Sequence, residues 1–361
     1  MVHSKGKLYS SIVGVLTAIP VYLIQEPLYI LPFVVFFYHL FNGHMANKDI
    51  PKVIIFIFLT IVVLLTNFVG TLEGYNTISM VSIFYFLVSA FILAFSYRLI
   101  HAESFITWFL IASKSVAVYV FILFFTDVFV YGIIHDVTQS EGRMWAKGLV
   151  VGWPNGFALI TSIAAFLCLV KEERLWALFL IITAMLTFSR MSMIFLVVIL
   201  LLLGYSRFGL RLFFALMIGL IIFVIPVMVD FYLANEEALY RIAKYSDRLI
   251  IAENLVDTFL RNPFGIGNVS YLEISTTDIY DSYHSTWLKV LVRYGFIGLI
   301  LFIALVVPVE RIRLISSRGI LCSLLLVLAI LQDFLLLPSI ALIYSLVANN
   351  RDFINDKSRL L

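Results

Sequence analysis

Between Lys52 and Glu73 the chain passes twenty consecutive residues without a charge, most of them Ile, Val, Leu and Phe, and runs of this kind recur from end to end. One such run, wound as an α-helix at about 1.5 Å per residue, reaches across the roughly 30 Å hydrocarbon layer of a bilayer. Backbone in lipid has no water to bond, so a spanning segment must satisfy its own N–H and C=O groups, which a helix does. The apolar runs predict helices near residues 8–24, 27–41, 52–70, 77–97, 105–131, 149–170, 174–188, 191–204, 210–232, 285–308, 319–333 and 335–348. The last two read as two short helices, as one long helix bent near Pro338, or as a re-entrant pair. The expected fold is therefore an all-α, polytopic transmembrane bundle of about twelve helices, a single integral membrane domain over 1–361. Composition closes off a soluble reading: 62% of the residues are apolar and 13% are charged, about half the charged share of a soluble domain.

Lys and Arg are retained in cytoplasmic loops. With the N-terminus inside, alternate crossings place 15 of the 25 basic residues on the cytoplasmic side, among them Lys5, Lys7, Lys48, Lys52, Arg98, Lys171, Arg174, Arg318 and Arg351. Both termini are then cytoplasmic, and the N-terminus, which lacks a small-residue cleavage site, reads as a retained first helix. Cys168 and Cys322 lie far apart in apolar runs and read as small hydrophobes rather than a disulfide. No acidic or basic tail points to nucleic acid.

The basic residues left outside run against that trend: Arg143 and Lys147, Arg190 in a tight turn, and Arg241, Lys244, Arg248 and Arg261 in a long outer loop of about 233–284. In that loop Asn235, Glu236 and Glu237 make a helix start. Beyond it Ile242, Tyr245, Leu249, Ala252, Val256 and Leu260 recur at helical spacing. Such an amphipathic helix would lie on the bilayer with its basic side facing anionic headgroups. Asn262, Pro263, Gly265 and Gly267 then stop it and turn the chain.

Guanidinium groups suit phosphate because the planar fork is permanently charged and can bind two oxygens at once. Arg143, Arg190 and Arg248 meeting at one face would hold a pyrophosphate, although a single interfacial arginine can also simply snorkel to the headgroups. His284 opens an apolar helix, with Asp281 three residues earlier and able to orient its ring, a pairing suited to a general base. Lys289 and Arg293, four apart on the first turns of that helix, are placed to line the same pocket. Lys114 is an intramembrane charge that calls for a carboxylate partner which the sequence does not name. The histidines have no metal-ligand spacing, Gly265-Ile266-Gly267 lacks the context of a dinucleotide site, and no P-loop is present. No metal and no cofactor are expected.

The order Arg143, Trp153-Pro154-Asn155, Thr187-Phe188-Ser189-Arg190, Arg248, Asn262-Pro263-Phe264-Gly265-Ile266-Gly267-Asn268, His284-Ser285-Thr286-Trp287-Leu288 and Tyr294-Gly295-Phe296-Ile297-Gly298-Leu299 resembles the bacterial O-antigen polymerase and O-antigen ligase superfamily over roughly 140–305. The resemblance implies a GT-C-like, metal-independent glycosyltransferase of polysaccharide and lipopolysaccharide biosynthesis. It would act on undecaprenyl-pyrophosphate-linked glycans at the periplasmic face of the inner membrane. Arg190 and Arg248 would hold the pyrophosphate and His284 would activate the acceptor hydroxyl, with Arg143 adding to substrate binding. Where the family has a His-Asn pair, this chain has His284-Ser285. Polymerase is the first expectation, because the chain is compact and carries no large acceptor domain. Transfer to lipid A core by a ligase, and transport or flipping of a lipid-linked glycan, are the alternatives. Membrane lipids and a chain-length regulator are the partners the resemblance admits.

Overall fold

The computed structural model describes residues 2–19, 50–72, 80–131, 154–186, 252–268, 285–308, 316–331 and 333–349. Every regular element among them is helical. In chain order these are α1 (Val2–Ala18), α2 (Ile50–Leu72), α3 (Met80–Leu99), α4 (Ala102–Tyr131), α5 (Pro154–Val170), α6 (Arg174–Leu186), α7 (252–261), α8 (Thr286–Val306), α9 (Ser317–Leu331) and α10 (Pro338–Asn349). A 3₁₀ turn, Asp333–Leu336, leads into α10. The helices predicted near 27–41, 191–204 and 210–232, and most of the 233–284 loop, lie outside the described residues.

The solvent this fold is built for can be read from α2. Its exposed face carries Ile54, Ile57, Phe58, Ile61, Leu64, Leu65 and Phe68, spaced three or four apart, whereas its buried face holds Lys52, Thr66, Asn67 and Gly70 beside Leu59 and Val63. Water would demand the reverse, because an exposed apolar stripe of that length is unfavourable in contact with it. Lipid makes the arrangement stable. By length and composition Ile50–Leu72, Ala102–Ile122 and Thr286–Val306 can each cross a membrane. In contrast α10 is buried from Ser339 to Asn349, and α5 from 156 to 168, so these two lie inside the bundle, as helices covered on all sides must.

Contacts fix the relative directions of the helices. Ser10 Oγ accepts the His101 amide at 2.8 Å. One turn on, a Cβ at Gly14 would come within 2.5 Å of the Phe105 carbonyl oxygen, so α1 and α4 run parallel and close together. α2 and α8 run antiparallel: Lys52 Nζ donates to the Leu305 carbonyl at 3.2 Å, and Val62 lies beside Gly298. α9 and α10 form a hairpin, because Arg318 near the start of α9 donates to the carbonyls of Val347 at 2.6 Å and Ala348 at 2.8 Å near the end of α10. The last apolar stretch is thus two helices rather than one long helix bent near Pro338.

Lys114 finds its carboxylate in Glu173, in the turn between α5 and α6, where the two form an ion pair. The ammonium also sits 5.2 Å from the Trp176 ring centroid. Glu172 in the same turn adopts φ 64, which lets three residues reverse the chain. Cys168 and Cys322 are both free and buried.

Candidate functional site

The loop Asn262–Asn268 and the first half of α8 form one construction. α7 ends where the Asn262 amide donates to the carbonyls of Thr258 and Phe259, both at 3.0 Å, and the Gly265 amide returns to Asn262 O at 2.9 Å. Gly265 has φ 92 and Gly295, inside α8, has φ 68 with ψ −171. Both are conformations that a side chain would disfavour. In an unbroken helix the amides of Phe296 and Ile297 would bond to the carbonyls of Val292 and Arg293. Here Phe296 N–H donates to Pro263 O at 3.0 Å, Val292 O accepts from Ile266 N–H at 3.1 Å, and Arg293 O accepts from Gly267 N–H at 2.9 Å. The break in α8 therefore leaves the Phe296 amide and the Val292 and Arg293 carbonyls bonded to the loop, as buried backbone requires.

The same loop is tied to α2. The Asn268 amide donates to Asn67 Oδ1 at 2.8 Å, while Asn67 Nδ2 donates to its own helix at Val63 O, 2.6 Å away. A Cβ at Gly70 would lie 2.3 Å from Ile266 O, so the loop backbone rests directly on the helix backbone there. Asn268 itself is fully buried, and neither polar atom of its side chain has a hydrogen-bond partner among the described residues. The ring of Tyr294 packs 4.4 Å from that of Phe86 on α3, adding a third helix to the same end of the bundle.

Ser285 is the N-cap of α8, with extended backbone and its hydroxyl accepting the Leu288 amide at 3.4 Å. Ser and Asn are about equally good N-caps. The exchange of Asn for Ser at this position of the family's pair therefore keeps the cap, and His284 is the residue that immediately precedes it. Lys289 and Arg293 both lie on the first turns of α8 and are half-buried. Lys289 and the absence of any acid in the first turn reinforce the positive end of the helix dipole, which favours an anion near that terminus. Of the residues predicted to carry chemistry, Arg143, Arg190, Arg248, Asp281 and His284 lie outside the described residues.

Three faces of α7 have three surroundings. Leu255 is buried against the protein, Glu253, Asp257 and Arg261 are exposed along one line, and Val256 and Leu260 are exposed along another. The predicted apolar stripe Ala252-Val256-Leu260 is thus the outward face, and the residue it left out, Leu255, makes the inward contact. Phe264 is exposed beside Phe296, which extends the apolar face onto α8. A helix with one apolar outer face and one charged outer face suits a membrane interface.

Sequence reasoning passed over Asn67 and Gly70. The available signal was a carboxamide within an apolar run, since polar groups placed in lipid tend to be held by a partner.

A helical protein whose exposed helix faces are apolar, with a glycine loop locked into a broken helix, is a membrane protein built around that junction. A family model described as O-antigen ligase matches residues 175–303, from α6 through Arg190, Arg248, the glycine loop and His284 to the far half of α8. The match makes residues 175–303 similar to the O-antigen ligase and polymerase superfamily, whose members are glycosyltransferase-like enzymes. No curated protein and no solved structure matches the chain.

Proposed function

We propose that the protein is an O-antigen polymerase, which moves a growing glycan from undecaprenyl pyrophosphate onto the next lipid-linked repeat unit. It would work at the periplasmic face of the bacterial inner membrane, both termini cytoplasmic, as a single GT-C-like domain of about twelve helices. The observation that carries the reading is the family match over 175–303, which contains Arg190, Arg248, Asp281, His284, Lys289 and Arg293 together. In the reaction the acceptor hydroxyl oxygen bonds to the anomeric carbon, and the bond from that carbon to the pyrophosphate oxygen breaks. The proton passes to His284, oriented by Asp281, and undecaprenyl pyrophosphate departs. Arg190 and Arg248 stabilise the charge that grows on the leaving phosphate, the task for which placed cations are most effective. Arg143, Lys289 and Arg293 add to the binding of the anionic donor. Guanidinium charge takes the role a divalent cation has elsewhere, so the reaction needs neither metal nor cofactor.

The matching family is described as O-antigen ligase, which favours a second reading, a ligase that delivers the same glycan to lipid A core. Purified protein reconstituted with undecaprenyl-pyrophosphate-linked repeat units separates the readings. A ladder of lengthening glycans with release of undecaprenyl pyrophosphate supports the polymerase, and transfer to added lipid A core alone supports the ligase. Movement of the lipid-linked unit across vesicles without any transfer would overturn both in favour of a transporter.

A further inference from the structure

Four observations bear on the start of α8. The helix is broken at Gly295, where φ is 68. The groups at the break bond to the loop rather than to the helix: Pro263 O takes the Phe296 amide, and the amides of Ile266 and Gly267 take Val292 O and Arg293 O. The loop is fastened to α2 by one side-chain bond, Asn268 N–H to Asn67 Oδ1 at 2.8 Å, across 201 positions of sequence. At Gly70 the loop backbone lies so close to α2 that no side chain fits between them. From these we infer that Asn67, Gly70 and Gly295 form a clamp that sets the direction of the 286–294 segment against α2, making them positioning residues for the reaction centre that His284 introduces.

A glycine at positive φ inside a helix gives the segment before it a direction that the rest of the helix does not dictate. Three backbone bonds to the loop choose one direction out of those available, and Asn67 refers the loop to a second helix. Two anchors on different helices hold a direction that either alone leaves free to swing. Lys289 and Arg293 lie on the held segment, and His284 precedes it by two residues. Displacing a reacting group by about 1 Å can cost about 100-fold in rate, so a clamp remote from the chemistry can govern turnover. None of the three residues needs to touch substrate.

The inference rests on the transferase reading for what the direction serves, so its test has an arm that reads the clamp alone. Full-length protein in lipid nanodiscs is compared as wild type, Asn67→Leu, Asn67→Asp and Gly70→Ala, by amide hydrogen exchange and by chain extension on undecaprenyl-pyrophosphate-linked repeat units. Asn67→Leu keeps the shape and removes the acceptor, whereas Asn67→Asp, neutral in this buried setting, keeps an oxygen for the Asn268 amide and an O–H that donates to Val63 O. Gly70→Ala favours the α2 helix itself and only pushes the loop away. Exchange in 264–268 and at Phe296 rises about tenfold or more in Asn67→Leu and Gly70→Ala, while 299–306 stays protected. Turnover falls about 100-fold in both, and Asn67→Asp stays within about threefold of wild type. Loss of turnover in Asn67→Leu with the loop amides still protected overturns the clamp, and so does full turnover with those amides open. An Asn67→Asp variant as impaired as Asn67→Leu also overturns it. If wild type itself extends no glycan, the polymerase reading fails, and the exchange arm still decides whether the clamp exists.

Discussion

The two ends of the α2–α8 pair hold their helices by different means. At one end, long side chains close the helix ends: Lys52 reaches Leu305 O, the Tyr344 hydroxyl donates to Val306 O at 3.1 Å, and Arg318 caps α10. About 22 Å along α2, fifteen residues at 1.5 Å each from Lys52 to Asn67, the loop does the same work with its own backbone. A long side chain can follow small shifts of the carbonyl it caps. Backbone-to-backbone bonds such as Ile266 with Val292 and Gly267 with Arg293 have no such reach, so they fix an angle. The basic end thus tolerates adjustment and contributes mainly stability, whereas the loop end contributes a direction and stands next in sequence to the proposed chemistry.

This contrast yields a ranked set of outcomes. The largest belongs to Arg248→Ala, which lowers glycan transfer about 100- to 1,000-fold with no change in the temperature of unfolding in detergent. A fall in unfolding temperature as steep as the fall in rate would make Arg248 a structural residue. Next is Gly295→Ala. Its new Cβ would lie 2.3 Å from the Phe264 carbonyl carbon and must adopt a left-handed backbone, together costing about 2–4 kcal/mol. Transfer per folded molecule falls as well. Unaltered stability would mean that the loop can yield, and the ends would then not differ as described.

Arg318→Met is the matching change at the basic end. It leaves the buried carbonyls of Val347 and Ala348 without their donor and lowers stability by about 2–4 kcal/mol. Transfer per folded molecule stays at the wild-type level, measured by normalising chain extension to protein that remains monodisperse. A specific loss of turnover would erase the division between the ends. The smallest effect is at the cap: Ser285→Ala costs about 1 kcal/mol, while Ser285→Asn costs a few tenths. Thermal unfolding that ranks Asn below Ala would show that the hydroxyl does more than cap α8.

How much of this was legible in the sequence follows from the range of each interaction. Hydropathy placed α2 at 52–70, against Ile50–Leu72 in the structure, because the lipid-facing stripe extends over nearly the whole helix. It began α1 at residue 8 rather than Val2, since hydropathy marks what lies in lipid and a helix can continue through Lys5 and Lys7 into a polar flank. The end of α7 and the turn after it were legible in Asn262, Pro263 and Gly265, whose preferences are local. The break in α8 was not, because glycine is common in membrane helices and Gly295 differs from Gly298 only through the loop that meets it. Pairings such as Lys114 with Glu173 and Asn67 with Asn268 join residues 59 and 201 positions apart, and no periodicity in one segment reports a partner so distant.

In the proposed reaction Arg190, Arg248 and His284 meet around one lipid diphosphate. Spin labels on cysteines introduced pairwise at 190, 248 and 284, with Cys168 and Cys322 replaced by alanine, measure this most directly in nanodiscs by electron–electron dipolar spectroscopy. Side chains that share one pyrophosphate and its acceptor give all three label separations within about 20 Å. A pair held beyond about 30 Å, about the thickness of the hydrocarbon layer, would contradict the claim and leave the glycine loop as a structural joint without a reaction centre beside it.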